Sequence, residues 1–121
     1  LYVAIRYPLE KYAQVKFDKM RGKYLKMTSR CSSHQDLKKL KADAFMTGSD
    51  QVWGPTIDGR YDNAYFLQFV DSNTPKLAYA ASFGKTKFDE RTVSEYKSML
   101  AEYDKIAVRE NSAVTMFMTG D

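Results

Sequence analysis

Cysteine, histidine and tryptophan are nearly missing from this sequence: each occurs once in 121 residues. A lone Cys31 excludes an internal disulfide and fits a reducing, cytoplasmic setting. Cys31 and the single His34 supply at most two His/Cys ligands, both in a polar stretch, so no metal site is expected. No apolar run approaches the roughly 18 residues that cross a bilayer. The start lacks the basic–apolar–small pattern of a signal peptide. Leu1 stands where an initiator Met would, as expected of a piece of a longer protein. Phosphate loops are missing too. "GSDQVWG" has neither the Lys-Ser/Thr of a P-loop nor the spacing of a dinucleotide fingerprint. His34 lies in a polar loop, so no Ser–His–Asp set is assignable.

What is present describes a globular chain: 44% hydrophobic, 14% aromatic and 28% charged residues. The tyrosines most simply fill its core. The net charge of +4 is lopsided. Residues 1–43 carry 11 Lys/Arg against 4 Asp/Glu, and residues 44–121 carry 8 against 11. A basic segment can attract phosphate, nucleic acid or an anionic membrane face. Its lysines are spread rather than blocked, which is the pattern of a solvated helical surface, and no nucleic-acid partner is expected.

The segment 1–43 reads as mainly helical. Tyr2–Arg6 is open between strand and helix, and Pro8 suits a first helical position. From Tyr12 the steps of three and four through Val15, Phe17, Met20 and Tyr24 are helical. Ser32 or Ser33 can cap a short helix, "HQDLKKLKA", with Asp36 in its first turn and His34 exposed beside the cap. Residues 44–121 alternate strand and helix. "DAFMT" (43–47), "KLAYAAS" (76–82) and "KIAVR" (105–109) are strand candidates, the second apolar on both faces as in a buried parallel sheet. Residues 54–75 form a long excursion in which "AYFLQFV" is a short strand or helical turn. Val93, Tyr96, Leu100 and Tyr103 make one helical stripe. Glu110 or Asn111 opens a final helix through Thr119, stopped by Gly120. The expectation is a single α/β domain: a parallel, Rossmann-like sheet flanked by helices.

Three of these strands end in short polar turns: "GSD", "SFG" and "RE". In an open parallel sheet the carboxyl ends of the strands share one edge, where ligands bind. Gly48, Ser49, Asp50, Ser82, Gly84, Arg109 and Glu110 are therefore expected on one rim. Gly48 lets backbone approach a ligand. Ser49 and Ser82 offer hydroxyls, Asp50 a base, and Arg109 a planar fork for carboxylate or phosphate. Each has a bland alternative. Small polar residues after strands are ordinary turn chemistry. Arg109 and Glu110 can pair with each other, or Glu110 can cap the helix. Trp53 reads more readily as a packing anchor than as a sugar platform.

"DAFMTGSDQVW", "YFLQFV", "KLAYAASFGK" and "YDKIAVRENSA", in this order and spacing, resemble the polysaccharide pyruvyl transferase family over about Phe17 to Gly120. The resemblance implies transfer of a pyruvyl group from phosphoenolpyruvate to a saccharide, often as a cyclic ketal, in building bacterial cell-surface polymers. It implies a two-domain, glycosyltransferase-type (GT-B-like) fold, of which this chain is most of the N-terminal half. The opening strand with its Asn-Tyr-Gly loop, the Asp-Pro-Thr segment and the second domain lie outside it, so this piece alone is expected to be inactive. Carried onto this sequence, Asp50 is the candidate base and Arg109 the donor's anion contact. Ser49, Gln51 and Ser82 orient acceptor hydroxyls, and Gly48, Trp53, Gly84 and Glu110 complete the binding set. No cofactor is implied beyond phosphoenolpyruvate as substrate. The acceptor is a free or lipid-linked saccharide, with peripheral association at the inner membrane face. Unpaired sheet edges favour a homo-oligomer. Two readings compete: a nucleotide-sugar glycosyltransferase half, and a non-catalytic saccharide-binding module.

Overall fold

A computed structural model describes residues 2–56 and 59–118, with side chains from Glu10 onward. The chain forms two compact units, Leu1–Arg30 and Cys31–Asp121.

The first unit holds one helix, α1 (Tyr2–Tyr24). The strand considered for Tyr2–Arg6 does not form, and Pro8 falls inside the helix rather than at its first position. A strand needs a partner edge, and no other strand lies among the described residues of this unit. The imide at Pro8 removes one ladder bond, and the turns on either side carry the helix across it. Gln14 donates to Asp18, which also pairs with Arg21 one turn on.

The second unit begins with a capped turn. Ser33 occupies the N-cap of α2 (His34–Lys38) and its hydroxyl oxygen accepts the Asp36 N–H at 3.2 Å. The Asp36 carboxylate accepts from the Ser32 N–H and the Ser33 hydroxyl in return, so the two side chains lock the start of the helix from both sides. These bonds hold the Asp36 carboxyl below the usual carboxylate range, the Ser33 hydroxyl contributing most. His34 is exposed, as expected beside the cap.

Three strands follow: β1 (Phe45–Thr47), β2 (Lys76–Ala81) and β3 (Lys105–Val108). They form one parallel sheet in the order β1-β2-β3. Thr47 lies opposite Ala78, and Ala81 opposite Val108. The register slips between Tyr79 and Ala81, where Ala80 adopts a left-handed φ of 50°. One extra residue is thereby accommodated in β2. Helix α3 (Glu90–Leu100) fills the crossover from β2 to β3. Asp89 caps it, accepting the Thr92 N–H at 2.9 Å. Tyr96, Met99 and Leu100 bury its apolar stripe. After β3 comes α4 (Asn111–Ala113), which continues in wider π geometry over Val114–Met118. The expected end of that helix at Thr119 and Gly120 lies outside the described residues.

The core is aromatic. Trp53, Phe66, Phe83 and Tyr96 are each at most 1% exposed. Phe83 stacks on Phe117 at 4.3 Å between ring centres, and Trp53 on Phe66 at 5.7 Å. Burying each phenylalanine contributes about 2–3 kcal/mol, more than any single hydrogen bond at about 1 kcal/mol. The 63–69 stretch is a run of turns, with Leu67 at φ 54°, that folds Phe66 and Leu67 inward. Not every tyrosine goes to the core: Tyr12, Tyr24, Tyr65 and Tyr79 are exposed. Tyr12 and Tyr24 ride on the lone helix of the first unit. Tyr79 lies on the opposite face of β2 from Ala78, and its 64% exposure departs from the expected burial of both faces.

Candidate functional site

The ends of β1, β2 and β3 are adjacent, and the loops that leave them are tied together. Gly48 leaves β1 at φ 128°, and a Cβ there would lie 1.9 Å from the Tyr79 carbonyl oxygen. Glycine is required because β2's backbone occupies that space. The approach is to protein backbone rather than, as expected, to a ligand. Beyond it the Asp50 carbonyl accepts the Ser82 N–H at 2.9 Å and the Val52 N–H at 2.7 Å. Asp50 Oδ1 accepts the Gln51 N–H at 2.8 Å. The carboxylate is exposed, and its other oxygen has no hydrogen-bond partner among the described residues. Ser49 is exposed beside it.

Trp53 anchors this loop from below. Its N–H donates to the Ser82 carbonyl at 3.2 Å, its indole Nε1 donates to the Tyr65 carbonyl at 3.1 Å, and its own carbonyl accepts the Tyr96 hydroxyl at 3.2 Å. With 0% exposure it offers no face to a sugar, so its place in the binding set is corrected. The packing alternative holds because indole is the largest apolar group available to seal the floor of the loop. Burial also acts on the neighbouring phenols: it raises Tyr96 to about 12 and pushes Tyr103 well above its ordinary value.

Ser82 leaves β2 fully buried. Its hydroxyl donates to Glu110 Oε1 and accepts the Gly84 N–H at 3.1 Å. No surface of Ser82 remains for an acceptor hydroxyl, which corrects that expectation. Gly84 turns at φ 64°, and the Gln51 side chain folds against it, with Oε1 2.8 Å from where a Cβ would stand. Arg109 leaves β3 exposed, its N–H donating to the Ala81 carbonyl at 3.1 Å. Its guanidinium has no carboxylate partner among the described residues, so the ion pair considered with Glu110 is not formed. Glu110 stands at the N-cap of α4, yet its side chain caps nothing; it turns to Ser82 instead. Its Oε2 is enclosed without a partner among the described residues.

Gly48, Ser49, Asp50, Gln51, Ser82, Gly84, Arg109 and Glu110 thus gather at one sheet edge. An exposed carboxylate and a guanidinium without an ion-pair partner among the described residues share that edge. A concavity whose walls include Tyr61, Lys85, Lys87, Phe88 and Arg91 reaches the residue after Gly84. None of these residues is among the sequence candidates, although Lys85 directly follows the "SFG" turn and Lys87 comes two residues later. No group of three or more His, Cys, Asp or Glu able to hold a metal lies among the described residues. Nor is any helix there long and apolar enough to cross a membrane.

An α/β protein with a parallel sheet and a polar carboxyl-edge site is the class these features define. The chain belongs to the polysaccharide pyruvyl transferase family, whose sequence model matches residues 4–119. No curated protein and no solved structure matches it.

Proposed function

We propose that this chain supplies the acceptor-side half of an enzyme that moves a pyruvyl group from phosphoenolpyruvate to a saccharide. The reading takes the full protein to have a GT-B-like fold. It works in the bacterial cytoplasm, at the inner membrane face, on a cell-surface polymer precursor. Family membership supports the saccharide acceptor. The observation that carries the chemistry is the exposed Asp50 carboxylate and, on the same edge, Arg109 without an ion-pair partner among the described residues. In the reaction, the methylene carbon of the donor gains a proton and becomes a methyl group. One acceptor hydroxyl adds to the central carbon and loses its proton. Phosphate leaves that carbon, and a second hydroxyl replaces it to close the ketal, releasing its proton. Asp50 takes a hydroxyl proton as general base. Arg109 faces the anionic groups of the donor with its fork and stabilises the phosphate as it departs.

The test is phosphate release from phosphoenolpyruvate by the full gene product with saccharide acceptors, and mass analysis of the product. A mass gain equal to a pyruvate ketal supports the reading. Binding of nucleotide diphosphate sugars with no phosphate released from phosphoenolpyruvate assigns a glycosyltransferase instead. Saccharide binding without turnover of either donor assigns a binding module.

A further inference from the structure

Ser82 uses all of its polar groups on neighbouring loops. Its N–H meets Asp50, its carbonyl meets Trp53, and its hydroxyl meets both Gly84 and Glu110. Glu110 gives up the capping role its position invites and keeps one enclosed oxygen without a partner among the described residues. Both choices cost stability, since caps stabilise helices and buried polar atoms normally find partners. What they accomplish is geometric. The link fixes the residue after Arg109 to the residue whose backbone holds Asp50.

We infer that the buried Ser82–Glu110 hydrogen bond is a latch that sets the relative placement of Asp50 and Arg109, with Ser82 and Glu110 as positioning residues rather than substrate contacts. For its catalytic consequences the inference rests on the function proposed above. As a structural link it stands alone.

The experiment uses the full gene product with Ser82→Ala, Glu110→Ala and the double variant, read by steady-state kinetics and by amide hydrogen exchange at Gly84 and Arg109. Each single variant is expected to lower kcat tenfold or more, with both KM values within threefold. The double should be no worse than the poorer single, because both remove the same link. Exchange at both amides should accelerate tenfold or more in Glu110→Ala, although that side chain bonds neither amide. Glu110→Gln keeps an oxygen for the Ser82 hydroxyl and should return exchange to within threefold of the parent, with most of kcat. Losses that multiply in the double, or a raised KM at constant kcat, would overturn the latch in favour of direct substrate contact. If Ser82→Ala does not fold, Glu110→Ala against Glu110→Gln decides alone, and equal impairment of the two overturns the proposal. If the parent shows no pyruvyl transfer, the function fails but the exchange result still decides. Parent-like exchange in Glu110→Ala then ends the latch.

Discussion

The two edges of the sheet treat charge in opposite ways. At the amino edge, charges are spent on each other. Lys76, 5% exposed, places its ammonium 2.5 Å from Glu102 and donates its backbone N–H to Asp104 at 2.9 Å. Gln68 adds a 3.4 Å bond to the same Glu102. At the carboxyl edge, Arg109 has no ion-pair partner among the described residues, and the one carboxylate in a tight bond, Glu110, is held by a serine. The buried cation of the amino edge, Lys76, has its carboxylate partner, whereas the guanidinium of the carboxyl edge has none among the described residues. Charge left uncompensated at a strand-end rim is available to a ligand, whereas charge consumed at the opposite edge stabilises the fold.

The largest test of this contrast is Gly48→Ala. The new methyl meets the Tyr79 carbonyl at a φ of 128°, which side chains rarely adopt. The expected loss is about 4 kcal/mol or more, seen as a collapse of the urea midpoint or of soluble yield. Wild-type stability would mean that the loop is not pressed against β2. Next come Arg109→Ala and Asp50→Asn. Each should slow turnover about 100-fold or more, about 3 kcal/mol of barrier, while the melting temperature stays within about 2 °C. Unchanged turnover would strip these residues of their roles. Glu102→Ala inverts the pattern. It strands the buried Lys76 ammonium, and because Glu102 is half-exposed the cost should be about 2 kcal/mol of stability, with kcat preserved. A kinetic defect there would erase the division between the edges.

Much of this architecture was legible in residue order. Strand candidates ending at Thr47, Ala81 and Val108 are co-directional neighbours; between the second and third, the helical stripe leaves few alternatives to a parallel crossover, whereas the first reaches the second through a long run of turns. The Ser33 cap and the Val93, Tyr96 and Leu100 positions of the helical stripe are readable because caps and periodicity are local, although Tyr103, expected on the same stripe, lies beyond the end of α3 at Leu100. What escaped was tertiary. The clash that demands Gly48 comes from a carbonyl 31 residues away, at Tyr79. The bulge at Ala80 leaves no mark in an apolar run. The sequence offers Glu110 a cap or Arg109, and its partner in the fold is a serine 28 residues back. For Trp53 the sequence leans to packing but leaves a sugar contact open, and only Tyr65, Ser82 and Tyr96 closing around it decide between them.

The smallest expected effect probes the floor beneath the carboxyl edge. Burial holds the Tyr96 phenol protonated up to about 12, against an ordinary value near 10. Between those values the unfolded chain releases a proton that the folded one keeps, so stability falls as pH rises through that window and is flat below it. Tyr103 and Tyr61, also raised chiefly by burial, act in the same direction. Melting temperatures from pH 8 to 11 should hold level and then decline above about pH 10. Tyr96→Phe removes one titrating group and should make that decline shallower, although it also loses the bond to the Trp53 carbonyl and starts from a lower plateau. The plateau and the slope separate the two effects. A slope identical to the parent's would show that Tyr96 is no more enclosed than a surface tyrosine, and the packed floor that holds the rim loops in register would lose its support.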